Sequence, residues 1–299
     1  MSTQKYQEIR NVMVGVSRFL ALGTLATALM LSATATLAND RTVYLDGVKN
    51  TRDLGGLTAA DGRTIRTGLL IRSGEIDHIT DGGKATLGEM GVATVIDLRT
   101  TKEATKAPAS WPEGTGPARY HAPLMEEKSA MIDDMRNRIA SGTAKADWID
   151  KSFHDAFGSI PLENSESLRQ VFEILLDQSE SAPVLFHCSG GKDRTGVVTA
   201  LLLATLGVPR AQIEQDFLMS NRAVDADAAS LAFAEKVNAE KGTSMTAEDV
   251  WPSLGVRRAY LDHFYATVEG EYGSVEAYLA EALQLSDEDI AALKDKYLE

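Results

Sequence analysis

The stretch from Pro183 to Leu206 constrains the fold more than any other part of the chain. Pro183-Val184-Leu185-Phe186 is a short apolar run. His187-Cys188-Ser189-Gly190-Gly191-Lys192-Asp193-Arg194 is dense in small and charged residues, and Thr195 to Leu206 has helical character. A strand without polar alternation is one covered on both faces, which points to an α/β sheet. Between that strand and the helix, a tight loop turns backbone N–H groups toward one point, where the helix N-terminus adds positive potential. Cys188 opens the loop and Arg194 closes it, so the segment can hold a phosphate against a thiol nucleophile.

Cys188 is the only cysteine among 299 residues, and its meaning depends on the N-terminus. Lys5, Arg10 and Arg18 form a basic region, Phe19–Leu31 is an apolar core, and small residues from Ser32 to Ala38 offer cleavage after Ala38 or Ala35. That layout predicts a signal peptide over residues 1–38. The other reading is an uncleaved anchor, but the core is short for a span needing about 20 residues. No second apolar stretch of that length follows, so no stable membrane insertion is expected after cleavage. The mature chain is then exported, periplasmic or secreted. Exported proteins use cysteines mostly in pairs; a lone one is inert and buried or a functional thiol, and the surrounding loop favours the thiol. The formal net charge of −13 becomes more negative once Lys5, Arg10, Arg18 and Glu8 leave with the leader. So acidic a body argues against nucleic acid and anionic membrane as partners, and any anionic substrate needs a local basic pocket.

No repeat, low-complexity tract or proline-rich linker divides residues 39–299, which are expected to form one catalytic domain. Strands are predicted near Thr42–Leu45, Gly68–Arg72, Val92–Asp97 and Ala118–Ala122, and a partly helical stretch over Glu75–Met90 stops at Gly91. Asn164 is predicted to cap a helix over Ser165–Asp177 with the apolar stripe Leu168, Val171, Phe172 and Leu175. The helix after the loop ends at Gly207 with Pro209 beyond it. Ser286-Asp287-Glu288-Asp289 opens a capping-box helix that runs to about Tyr297. The expected fold is α/β: a central, mostly parallel sheet flanked by helices, with a helical C-terminus and the cysteine loop at the carboxyl end of a strand. Two polar segments, Glu126–Phe157 and Ala223–Trp251, fit that core poorly. Each is a candidate lid or a solvated packing helix, and residues 223–251 are the stronger lid candidate.

A thiol attacks phosphorus as a thiolate. The loop amides, the helix start, Lys192 and Arg194 all place positive potential at Cys188. Arg194 has the planar fork to hold two phosphate oxygens. Ser189, Gly190, Gly191, Lys192, Thr195 and Gly196 complete the expected phosphate cradle, the glycines because the chain can turn there with no side chain in the way. Thr195 can donate its hydroxyl to the sulfur, and His187 is suited to fixing the loop rather than to acting as a base. A proton donor for the leaving oxygen is also required. His78, His121, His154, His187 and His263 have no metal-ligand spacing, so no metal is expected.

Cys188 to Arg194, with five residues between them, resembles the phosphate-binding loop of the cysteine-dependent protein tyrosine phosphatases. The fuller run from His187 to Gly196 resembles the atypical bacterial tyrosine and dual-specificity phosphatases related to the secreted mycobacterial phosphatase B. Asn50-x-Arg52-Asp53-Leu54-Gly55-Gly56, Arg72-Ser73, Ile96-Asp97-Leu98-Arg99-Thr100 followed by Glu103, and Tyr272–Leu279 extend the resemblance over about residues 41–299. It implies a cysteine-phosphatase fold, a phosphocysteine intermediate on Cys188, transition-state stabilisation by Arg194 and no cofactor. It also implies Asp193 as the acid with Asp97 as helper. Asp193 can instead form a salt bridge to a neighbouring cation, and Asp97-Leu98-Arg99 can merely buttress the loop. Trp111-Pro112-Glu113 looks like a mobile acid loop by coincidence, and Asp155 is an outside candidate for the acid. Arg52, Arg72 and Arg99 are supporting residues that enlarge the basic pocket, or are simply solvated.

The resemblance implies hydrolysis of phosphomonoesters, above all protein phosphotyrosine, with phosphoserine and phosphothreonine as further substrates. Lys192 is similar to the lysine of inositol-lipid phosphatases, which keeps a phosphoinositide or inositol-phosphate substrate as the alternative; its other role is to neutralise Asp193. A non-catalytic phosphate-binding module would lack the thiol, the arginine or the acid. Sulfurtransferase loops are usually a residue shorter, and a redox thiol needs a resolving cysteine. Nothing in the sequence specifies an oligomer.

Overall fold

The computed structural model describes residues 41–109, 111 and 115–299. The predicted signal peptide over residues 1–38, and Pro112 and Glu113 of the Trp-Pro-Glu segment, lie outside them. The strands are β1 (Arg52–Asp53), β2 (Leu70–Ser73), β3 (Thr94–Asp97), β4 (Ala118–His121) and β5 (Val184–His187). The first six helices are α1 (Asp81–Glu89), α2 (Thr101–Lys106), α3 (Ser129–Ala140), α4 (Ala146–Glu163), α5 (Ser165–Asp177) and α6 (Arg194–Thr205). Six more follow: α7 (Arg210–Ala223), α8 (Ala226–Lys241), α9 (Ala247–Leu254), α10 (Arg258–Tyr272), α11 (Val275–Glu281) and α12 (Asp287–Tyr297).

The sheet has the order β1-β2-β5-β3-β4, antiparallel only between β1 and β2. Its pleat sends alternate side chains to opposite faces. Leu70, Ile96, Val184 and Phe186 join the larger core with α5 and α6, while Ile71, Val95 and Leu185 join a smaller one with Leu45, Ile76 and Leu87. Helices on both faces explain why the Val184 run needs no polar alternation. Phe186 and Ile96 stand in register, and one step on, at the carboxyl edge, His187 stands between Asp97 and Ser73. The cysteine loop leaves from this edge.

Several local signals hold. The helix α5 occupies the predicted Ser165–Asp177, with Leu168, Val171, Phe172 and Leu175 all buried, each contributing about 1.5–3 kcal/mol of transfer free energy. Ser286 caps α12 in a capping box with Asp289. Asn164 precedes α5 but does not cap it; its Oδ1 accepts instead from the Met125 amide at 2.5 Å. Thr42 makes an isolated bridge to Arg52 and residues 43–45 form no strand, so the predicted first strand is absent and the sheet begins with the two residues of β1 instead. Residues 75–80 stay out of α1, which begins after the capping side chain of Thr80. A third apolar cluster, with Met135, Ala144, Ile149, Ala234, Met245 and Val250, packs α3, α4, α8 and α9 together. Among the described residues no helix is long and apolar enough to cross a membrane.

Candidate active site

The loop from Cys188 to Asp193 is braced from behind by the Asn50-x-Arg52 segment. Asn50, at a left-handed φ of 58° that asparagine tolerates, donates from Nδ2 to the carbonyls of Gly190 and Gly191, both at 3.0 Å. Its Oδ1 accepts from Arg52 Nη1 at 2.6 Å. Arg72 donates to the Gly191 carbonyl at 2.9 Å. Gly191 has φ +64°, and a Cβ there would lie 2.5 Å from the backbone of Ser73 and Gly74, so this position requires glycine. Gly190 has no such need, its nearest contact for a Cβ being Lys192 Cγ at 3.4 Å. At Gly196 a Cβ would strike the Phe217 ring at 2.9 Å, so the glycine lets α6 approach α7.

Arg41, Arg52 and Arg72 converge on one buried carboxylate, Asp216, at 2.6, 3.1 and 2.5 Å. Burial pulls Asp216 toward neutrality, but the three guanidiniums hold it well below the usual carboxylate range. Arg72 is pushed down to about 9, by burial first and then by Arg52 beside it, with Asp216 opposing. Arg52 and Arg72 therefore do not widen the basic pocket and are not solvated. They are buried beneath the loop. Arg99 is buried too, with its guanidinium on both oxygens of Asp97 and on the Ala107 carbonyl.

At the front of the loop, Arg194 meets a carboxylate head-on. Its Nη1 and Nη2 donate to Glu103 Oε2 and Oε1 at 2.6 and 3.0 Å, the bidentate geometry of a strong pair. Glu103 is the N3 residue of α2, held by a capping box with Thr100. Ser189 Oγ donates to Glu103 Oε1 at 2.8 Å, and Arg136 of α3 donates to the same oxygen at 2.6 Å. Burial raises the Glu103 carboxyl, yet Arg194, the Thr100 amide and Arg136 outweigh it and hold the group far below its ordinary value. Arg194 is raised: burial opposes its charge, and the hydrogen bonds it donates to Glu103 prevail.

Cys188 is buried, only 1% exposed, at the floor of a cavity of about 240 Å³. His187 beneath it is pushed down to about 4 by burial, with Asp97 opposing, so a neutral ring supports the loop. Its Nε2 lies 3.9 Å from Asp97 Oδ2. The Thr195 hydroxyl, expected on the sulfur, is buried without a hydrogen-bond partner. Lys192 reaches Asp193 at 2.9 Å and the Gly255 carbonyl at 3.1 Å, with its ammonium 4.0 Å from the centre of the Phe153 ring.

The cavity wall combines loop residues, Asp193 among them, with Met125 and an apolar face of α3 and α4: Met131, Ile132, Met135, Ile139, Phe153 and Ala156. Residues 223–251 contribute nothing to this wall; their helices pack on α3 and α4 through the third cluster, and α9 reaches the wall just beyond that segment, with Ser253. The cover thus comes from the other polar segment, Glu126–Phe157, because only α3 and α4 turn an apolar face toward the loop. Asp97 is also absent from the wall, its carboxylate taken by Arg99. Asp155 pairs with Lys151 on the exposed side of α4. Trp111 packs near Gly116 and Arg119, away from the cavity.

A model of the tyrosine phosphatase family matches residues 43–299. The chain belongs to the tyrosine phosphatase family. It is 32% identical over 270 residues to a protein of Cupriavidus necator named as a tyrosine-protein phosphatase, covering 89% of this chain and 92% of that one. It is 29% identical over 262 residues to the triple specificity protein phosphatase PtpB of Mycobacterium tuberculosis, covering 80% and 92% of the two chains. A tyrosine-protein phosphatase of Nostoc commune is 27% identical over 234 residues, or 75% of this chain and 72% of that one.

In this tyrosine phosphatase Ser189, Gly190, Lys192, Asp193 and Arg194 line the cavity with Cys188, whereas Gly191, Thr195 and Gly196 of the predicted cradle do not, and Arg52, Arg72, Arg99 and Asp97 are also absent from its lining. Sequence reasoning missed Asn50, Glu103, Arg136 and Asp216 as parts of the site. The spacing of Thr100 and Glu103 is that of a capping box, a signal that could have placed Glu103 at a helix start; nothing local marks Arg136 or Asp216.

Proposed function

We propose that the chain hydrolyses protein phosphotyrosine through a phosphocysteine intermediate. The observation that carries this is the apolar wall of Met131, Ile132, Met135 and Phe153 standing over a buried thiol. Such a wall suits an aryl leaving group. The Cys188 thiolate attacks phosphorus, the P–O bond to tyrosine breaks, and the phenol oxygen takes a proton from Asp193. Water then attacks the phosphocysteine, giving its proton to Asp193 and releasing phosphate and the thiolate. Arg194, held in position by Glu103, stabilises the equatorial oxygens in both steps. The Lys192 ammonium is already satisfied by Asp193, Gly255 and Phe153, which favours its role as Asp193's counter-ion. Residues 1–38 act as an export leader in this reading, and the enzyme works in the periplasm or outside the cell; a mature N-terminus still at Met1 would overturn that part.

The test compares phosphotyrosine, phosphoserine and phosphothreonine peptides with phosphoinositides, in the presence of a chelator. Phosphotyrosine peptides should have the highest kcat/KM, and a thousandfold bias toward the lipid would reverse the reading. Cys188→Ser should abolish turnover while keeping phosphate binding. Asp193→Asn should lower kcat by about 10²–10⁴-fold on phosphotyrosine and much less on p-nitrophenyl phosphate, whose leaving group needs little acid. Equal losses on both would remove Asp193 from the acid role.

A further inference from the structure

The charged residues of the cavity wall are Glu103, Asp193, Arg136, Lys192 and Arg194. Two pairs close among them: Lys192 with Asp193 at 2.9 Å, and Arg194 with both oxygens of Glu103. One cation, Arg136, is left over. Among the described residues its ion-pair partner is Glu103, through Oε1, which already accepts from Arg194 Nη2 at 3.0 Å and from Ser189 Oγ at 2.8 Å. Three donors on one carboxylate oxygen exceed its two lone pairs. Oε2 has no room either, since it accepts from Arg194 Nη1 and the Thr100 amide.

The three donors are not equally replaceable. Arg194 and Ser189 belong to the loop and are fixed by its path. Arg136 comes from α3, with 44% of its side chain exposed, so it can leave Glu103 at little cost in desolvation. Arg136 also lies beside the phosphate loop: its Nη2 is 3.2 Å from Ser189 Oγ, the atom that Arg194 Nη2 approaches at 3.4 Å. Two guanidiniums thus flank one point next to the nucleophile.

We propose that Arg136 is a substrate-binding residue, a second arginine that swings from Glu103 onto the phosphoryl group held in the loop. This rests on the phosphatase reading and adds a residue to that site. A phosphate dianion next to a thiolate is a concentrated negative charge inside an acidic protein, and the cation of the wall that shares its carboxylate with Arg194 is the one placed to meet it. Because α3 also carries Met131, Ile132 and Met135 of the apolar wall, the same movement draws the cover down over an occupied loop. Anion binding and closure are then one event.

The experiment measures inorganic phosphate binding by calorimetry in the Cys188→Ser background, with and without Arg136→Gln, and with Arg136→Lys as the charge-retaining control. Loss of one charged hydrogen-bonding partner should weaken phosphate by about tenfold or more, with Arg136→Lys recovering part of it. Unaltered or tighter phosphate binding in Arg136→Gln, with an unchanged melting temperature, would overturn the proposal. So would a loss confined to phosphopeptides with acidic neighbours and absent for inorganic phosphate, since Arg136 would then read a flanking group. Turnover of p-nitrophenyl phosphate by the wild type, and its loss in Cys188→Ser, tests the phosphatase reading separately.

Discussion

His187 shows how a residue next to the nucleophile can support it without doing chemistry. Burial keeps its ring neutral, with a pKa of about 4 against an ordinary 6.5. The linkage has a definite sign. Below about 6.5 the unfolded chain binds a proton that the folded protein refuses, so stability falls as pH drops toward 4. The loss over that window is about 3 kcal/mol from this one group. His187→Gln should therefore flatten the melting temperature between pH 6.5 and 4 relative to the wild type. A parallel decline in both proteins would mean that His187 is not the group responsible. The prediction concerns stability, so it is separate from the part Asp193 plays in turnover.

The strand–loop–helix unit of β5, the cysteine loop and α6 depends on one backbone conformation. At Gly191 the chain takes φ +64°, and a Cβ there would lie 2.5 Å from the backbone of Ser73 and Gly74. Gly191→Ala must push the loop off β2, breaking the bonds that its carbonyl accepts from Asn50 and Arg72. The expected result is loss of phosphate affinity together with about 1–3 kcal/mol of stability, the usual cost of a forced conformation. Gly190→Ala serves as the contrast. Its Cβ would meet only the flexible Lys192 side chain at 3.4 Å, so stability should hardly change. If urea midpoints fall equally for both variants, the distinction between the two glycines fails.

Across the whole molecule, the loop is tied to distant parts of the chain by buried charge. Asp216 on α7 receives Arg41, Arg52 and Arg72 from the opposite end of the sequence, and Arg72 passes the connection on to Gly191. Removing a charge from a buried cluster costs more than the pair is worth, because the partners stay desolvated and uncompensated. Asp216→Asn leaves three guanidiniums facing a neutral amide, and a loss of about 3–5 kcal/mol is expected in denaturant unfolding. A variant that unfolds within 1 kcal/mol of the wild type, by the same scale, would show that the arginines find other partners. The acidic body gives no long-range attraction for a phosphorylated substrate, so the binding free energy has to arise at the loop and its cover.

The cysteine loop, the covered strand before it, the α5 stripe and the Ser286 cap could be read from the chain because each is a local pattern. Apolar spacing, a capping side chain and a run of small residues act on neighbours within a few positions, so a linear reading captures their physics. The same reading could quote Asn50, Arg52, Arg72 and Asp97-Leu98-Arg99 without saying where their side chains go. Arg72 and Asp216 are 144 residues apart, and Arg194 and Glu103 are 91 apart. Which cation meets which carboxylate depends on strand order and helix packing, and residue spacing carries no record of either. The same holds for the cover. Glu126–Phe157 and Ala223–Trp251 have similar composition, and packing alone turned Met131, Ile132, Met135 and Phe153 toward the thiol while the later helices closed the third core behind them. Local sequence decided where a phosphate would be held. The burial of side chains far apart in the chain decided what holds the loop rigid and what closes over it.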